Sequence, residues 1–277
     1  MKKQTKIVLT AIMLTAVTLT ALPKAFVKAN AQAQENTDEI RYGGATGLTV
    51  TTQNFTFDEK VVTEDYEIKY GLPNYYDENG LKLCANVAGA IVIGYYDRFK
   101  ENLIPDYKSY KKTLSRITYK AQDDVTLALI NQLKPLMQGS NPNGATFNEY
   151  TNGMTTYVSR AGYTYTQQNV MNGSSLNMSK VKTAITETKP VLLFLKNFTF
   201  AKTEESSSTL TIENTYGNFT HVVACYGYTE VKYYNNNQLV YTAKLLKIKS
   251  GLTQDEEYQY LNLDKSNLIN SISTYIC

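Results

Sequence analysis

The sequence holds one histidine, His221, and three cysteines, Cys84, Cys225 and Cys277, among 277 residues. With a single imidazole and no Cys-x-x-C pair, a zinc site built from Cys and His is excluded. So is any mechanism that passes protons between two histidines. No Gly-rich phosphate loop, EF-hand loop or basic stripe occurs, and no internal repeat or low-complexity segment. No cofactor and no metal are expected. An odd number of cysteines cannot all pair internally, so at least one thiol stays unpaired, either buried and inert or kept for chemistry.

Acidic residues are missing from positions 1–33, which carry Lys2, Lys3, Lys6, Lys24 and Lys28. A lysine-rich start, an apolar run from Ile7 to Leu22 and then small residues describe a secretory signal peptide. Ala29-Asn30-Ala31 and Ala31-Gln32-Ala33 both suit cleavage, and the apolar run is short for a membrane span. The expected location is therefore secreted, either extracellular or loosely associated with the cell wall, with no integral membrane association after cleavage. Loss of those five lysines takes the formal charge from +3 to about −2. Nucleic acid is accordingly not an expected partner.

With 43% hydrophobic and 19% charged residues, the remainder has enough apolar material for a packed core. Residues 34–67 are polar and Thr-rich and read as an extended N-terminal arm or short pro-segment, with one strand at Lys60–Val62. The compact domain is expected over residues 68–277. The stretch from Cys84 to Phe99 is small and apolar on nearly every side, which describes a central, buried helix. Gly89 and Gly94 lower its propensity and point to close packing against a neighbour. Residues 122–138, interrupted near Pro135, and 147–161 read as amphipathic helices, and Met178–Thr188 as a third. Asp123-Asp124 supplies N-terminal charge to the first of these. Strand character follows in Val191–Phe200, His221–Tyr234, Leu239–Ile248 and Tyr258–Leu263, with a hairpin turn at Asn235-Asn236-Asn237. Helices first and an antiparallel sheet after them is an α+β order.

Chemistry, if there is any, falls to Cys84 and His221. A thiol at a helix N-terminus feels the positive end of the helix dipole, which favours thiolate. A neighbouring imidazole adds to that effect. Each residue alone also has an ordinary reading: a buried small hydrophobe for Cys84, a structural ring at a sheet edge for His221. Cys225, four residues beyond His221, is either an inert thiol or the partner of Cys277 in a disulfide. The 23 tyrosines are either amphipathic filler or the lining of a binding groove.

The local context resembles papain-fold cysteine peptidases, and most closely the bacterial branch related to bacteriocin leader peptidases. Leu83-Cys84-Ala85-Asn86-Val87-Ala88-Gly89-Ala90, running into Gly94-Tyr95-Tyr96-Asp97-Arg98, is similar to the nucleophile helix. Gly71-Leu72-Pro73-Asn74-Tyr75-Tyr76 resembles the entry segment, and Phe147 to Tyr163 a helix followed by Gly-Tyr. Lys189-Pro190-Val191-Leu192-Leu193 and His221-Val222-Val223-Ala224-Cys225-Tyr226-Gly227-Tyr228 resemble its paired strands. The series covers about residues 68–264.

The resemblance implies an α+β fold of papain-like type, with a helical half whose central nucleophile helix packs on an antiparallel sheet. It also implies a secreted cysteine peptidase in which Cys84 is the nucleophile and His221 the general base, then acid, acting through a thioester. Protein or peptide would be the substrate, possibly cell-wall peptide. Glu78 stands where the family usually has a glutamine for the oxyanion. Asn79 is the nearest amide and Asn74 the second choice. Ser250 aligns with the residue that orients the histidine, normally Asn or Asp. Two rivals keep the same residues: a non-catalytic binding protein, and a cell-wall amidase or endopeptidase.

Overall fold

In a computed structural model the chain is described at residues 40–43, 47–78, 80, 82–254 and 259–277, all within one compact unit, Asn36–Cys277. The signal peptide expected at 1–33 and the oxyanion candidate Asn79 lie outside the described residues.

The chain opens with β1 (Arg41–Tyr42), β2 (Leu48–Thr56) and β3 (Glu59–Glu67), followed by α1 (Cys84–Tyr96). A small hairpin, β4 (Tyr110–Lys112) and β5 (Ile117–Tyr119), leads to α2 (Asp124–Met137), β6 (Ala145–Thr146) and α3 (Phe147–Arg160). Next come β7 (Tyr165–Asn169), β8 (Met171–Asn172), β9 (Ser175–Leu176) and α4 (Met178–Thr186). The C-terminal part is β10 (Val191–Glu205), β11 (Thr209–Asn235), β12 (Gln238–Lys249), β13 (Tyr260–Asn262) and β14 (Leu268–Ile276).

The expected papain-like division into a helical half and a sheet is overturned. Strands hold 45% of the described residues and helices 23%, and the sheet is a large antiparallel one served by four helices. Two features of the sequence account for the difference. The segments before residue 68 are rich in β-branched and aromatic residues, with Thr, Val, Phe and Tyr among them. They form the nine-residue strands β2 and β3, which pair with β11 instead of trailing as an arm. In addition, β11 starts at Thr209, twelve residues before His221, and runs for 27 residues.

So long a strand serves two sets of partners. Its first half pairs with β10 and β2, its second with β12 and β3. β13 joins β12 to β10, so β10, β11, β12 and β13 pair in a closed ring. A small apolar cluster belongs to this ring, with Leu210, Ile212, Val231, Tyr233 and Leu245 among its buried members. The larger core gathers around α1, all of whose residues are buried.

α1 is wrapped because its small residues admit close neighbours. A Cβ on Gly89 would meet Met137 Cε at 2.8 Å and Met154 Sδ at 3.0 Å, and one on Gly94 would meet Tyr75 Oη at 2.7 Å. α2 and α3 begin with full capping boxes, Asp123 with Thr126 and Thr146 with Glu149, and Asn177 caps α4. Pro135 lies in the last turn of α2, which runs on to Met137, so the expected interruption is only a late ending. α2 and α3 touch at Gly153, where a Cβ would stand 2.4 Å from Met137 Cγ and 3.0 Å from the Leu136 carbonyl oxygen. The main chain cannot step aside there as a side chain can. Gly153→Ala is expected to destabilise the protein by about 1–3 kcal/mol, read as a lower urea midpoint with an unchanged m-value.

Candidate functional site

Cys84 is the first residue of α1 and is 3% exposed. The N-cap, Leu83, has no side-chain oxygen to give, so α1 alone among the four helices starts without a cap from its own N-cap residue. A carboxylate oxygen from further back takes the N-cap's own N–H: Leu83 N–H donates to Asp77 Oδ2 at 3.1 Å.

His221 lies in the middle of β11 opposite Leu195 of β10, next to a register shift between Lys196 and Phe198. Asn197, at that bulge, has φ of +60°, a left-handed conformation that asparagine tolerates. Bulges re-aim neighbouring side chains. The imidazole is 0% exposed, with Phe198, Phe200 and Phe219 around it at ring separations of 5.5, 6.0 and 6.2 Å.

Its Nε2 lies 2.8 Å from the Ser250 carbonyl oxygen. A carbonyl only accepts, so Nε2 carries the proton and, in the neutral ring, Nδ1 carries the lone pair. Nδ1 is buried and makes no hydrogen bond. Burial pushes the His221 pKa down from 6.5 to about 4, against the smaller opposing effect of the Ser250 carbonyl. At neutral pH the ring is therefore an uncharged base.

Ser250 thus touches the histidine through its main-chain carbonyl. Its hydroxyl is used elsewhere, accepting from Leu252 N–H at 3.3 Å. The next residue, Gly251, has φ of +72°, and a Cβ there would lie 2.9 Å from Val87 Cγ1. Val87 is one turn along α1 from Cys84 and shares its face. The Ser250–Gly251 corner therefore holds the imidazole on one side and abuts the first turn of the cysteine helix on the other. Asp77 closes the arrangement, its N–H donating to the Gly251 carbonyl at 3.1 Å. Sequence reasoning missed Asp77 and Gly251. Both act through main-chain hydrogen bonds and backbone conformation, which leave no periodic signal; the Lys249-Ser250-Gly251 strand ending was the one available clue to the glycine.

The remaining candidates fall to the side. Asn74 Nδ2 donates to the Gln254 carbonyl at 2.8 Å. Glu78 accepts from Tyr76 Oη and Gln122 Nε2. No disulfide links Cys225 to Cys277. The Cys225 thiol donates to the Gly227 carbonyl at 3.3 Å, and burial pushes its pKa up to about 12, which makes it inert. Cys277 is exposed.

A cleft of about 660 Å³ has Asn74, Tyr76, Gln122, Tyr226, Lys249 and Gln254 in its walls, and none of Cys84, His221, Ser250, Gly251 and Asp77 lines it. Two of these residues immediately precede site residues: Tyr76 comes before Asp77, and Lys249 before Ser250. Among the described residues no group of three or more His, Cys, Asp and Glu side chains gathers where it could hold a metal ion. No described helix is long and apolar enough to cross a membrane. Compared with family models, with curated proteins and with solved structures, the chain matches none.

Proposed function

We propose that the protein is a cysteine peptidase that attacks amide carbonyls with Cys84 and uses His221 as its base. One observation carries this reading. The only imidazole in the chain is held as the Nε2–H form by Ser250, which leaves a buried, unbonded Nδ1 lone pair at a corner that abuts the helix of Cys84.

Because His221 is neutral at rest, the imidazole starts as a proton acceptor and not as the imidazolium of a preformed ion pair. The proton leaves Sγ for Nδ1 as sulfur adds to the carbonyl carbon. The resulting imidazolium is steadied by Nε2–H and the Ser250 carbonyl, and then protonates the leaving amine as the C–N bond breaks. Water, with His221 again as base, hydrolyses the thioester and restores the thiol. The N-terminus of α1 supplies the positive end of the helix dipole for the oxyanion.

The test is labelling with iodoacetamide at neutral pH, located by peptide mapping. Cys84 is expected to react faster than a model thiol, and His221→Ala to remove the excess. Cys84→Ser should abolish any peptide hydrolysis. A second reading draws support from burial, since Cys84 is 3% and His221 0% exposed. Under it the protein is a binding protein with an inert centre, and Cys84 stays unlabelled until the chain is unfolded.

A further inference from the structure

The start of α1 is secured differently from that of the other helices. α2, α3 and α4 are capped by their own N-cap side chains, whereas α1 borrows an oxygen from Asp77, six residues before Leu83. Asp77 is half-buried and makes its second bond in the opposite direction, from its main-chain N–H to the Gly251 carbonyl. One residue is thereby bonded both to the residue before Cys84 and to the residue after Ser250.

We propose that Asp77 is a positioning residue that sets the register between the Cys84 helix and the Ser250–Gly251 corner holding His221. The inference rests on the peptidase reading and adds to it a residue that touches neither sulfur nor imidazole. The reasoning is geometric. Cys84 and His221 reach the site from elements 137 positions apart in sequence. The Val87–Gly251 contact is apolar, and such a contact resists approach without fixing rotation or sliding along the helix axis. A hydrogen bond is directional, and the one at Leu83 N–H fixes the end of α1 on which the thiol sits. Without it, the first turn of α1 is free to fray, and misplacement of a reacting group by about 1 Å costs up to about 100-fold in rate.

The test is the second-order rate of Cys84 alkylation in the full chain, measured for the wild type, Asp77→Ala, Asp77→Asn, His221→Ala and the Asp77→Ala/His221→Ala pair. Asp77→Ala is expected to slow alkylation about tenfold or more. Asp77→Asn should stay within about threefold of wild type, because its amide oxygen still accepts from Leu83. In the His221→Ala background, Asp77→Ala should have no further effect, since register to an absent imidazole no longer matters. Equal slowing in both backgrounds, an Asn variant as slow as Ala, or an unslowed Ala variant each overturns the proposal.

Should Asp77→Ala fail to fold, Asp77→Glu replaces it. This variant moves the oxygen by one methylene and is expected to show the same dependence on His221. An unchanged rate for His221→Ala alone is a different failure, since it removes the peptidase reading itself.

Discussion

Between pH 6.5 and pH 4 the protein is expected to lose about 3 kcal/mol of stability through His221 alone. The unfolded chain takes up a proton on its histidine as pH falls through 6.5. The folded chain refuses that proton until about pH 4, because the ring is buried among Phe198, Phe200 and Phe219. Across this window the unfolded state binds more protons than the native one, so stability falls as pH falls and levels off below about 4. The full interval of about 2.5 pH units at about 1.4 kcal/mol each is about 3.5 kcal/mol, and the half-titrated ends of the window bring the loss within it to about 3 kcal/mol. The sequence makes the result clean, since there is no second histidine to titrate in the same range. Partial burial pushes Asp123, Glu149 and Glu205 up. Hydrogen bonds from Thr126 to Asp123, from Arg41 to Glu149 and from Lys60 to Glu205 outweigh this and leave all three below the usual carboxylate range. What they contribute is present above an ordinary carboxylate pKa near 4 and is lost below it. Urea midpoints at pH 7, 5.5 and 4.5 measure the slope, and His221→Phe should flatten it above pH 4.5. A flat wild-type profile over that range would show that the imidazole is not held neutral.

The same histidine shows how far sequence reasoning reached. Scarcity singled it out, and the run of small apolar residues after Cys84 identified a helix that is indeed buried throughout. Ser250 aligns with the residue that orients the histidine and does meet the ring, but the atom that meets it is a carbonyl oxygen, which any residue at 250 would offer. That distinction is invisible in sequence because main-chain groups carry no residue identity. The balance of strand over helix was hidden for a related reason. β2, with Thr at four of nine positions, is exposed along most of its length, and a polar segment of that kind reads equally well as a loose arm. It is a strand because β11 extends far enough to give it a partner, a long-range condition that no local window contains. Asp77 and Gly251 carry no local mark because the hydrogen bonds they make join two distant segments.

Replacing Gly251 by alanine is expected to cost about 2 kcal/mol of stability and about 100-fold in the His221-dependent reactivity of Cys84. Two demands meet at this position. Its φ of +72° lies in the left-handed region, where a Cβ is strained whatever space surrounds it. The added methyl would also stand 2.9 Å from Val87 Cγ1, inside contact distance, with the Tyr75 carbonyl oxygen 3.9 Å away. Relaxing the backbone toward negative φ would rotate the peptide planes on either side of residue 251. One of the affected groups is the Ser250 carbonyl that holds Nε2–H, and the other is the Gly251 carbonyl that accepts from Asp77. Pushing Val87 away instead would shift the first turn of α1 and Cys84 with it. Under the peptidase reading either response would move Cys84 relative to His221, so the loss of reactivity should exceed what the loss of stability explains under fully folding conditions. Gly251→Asn separates the two causes, because asparagine tolerates the left-handed region but still carries the Cβ. It is expected to recover part of the stability while remaining slow in alkylation. Full recovery of both would mean that backbone strain, and not the contact with Val87, is what the glycine relieves.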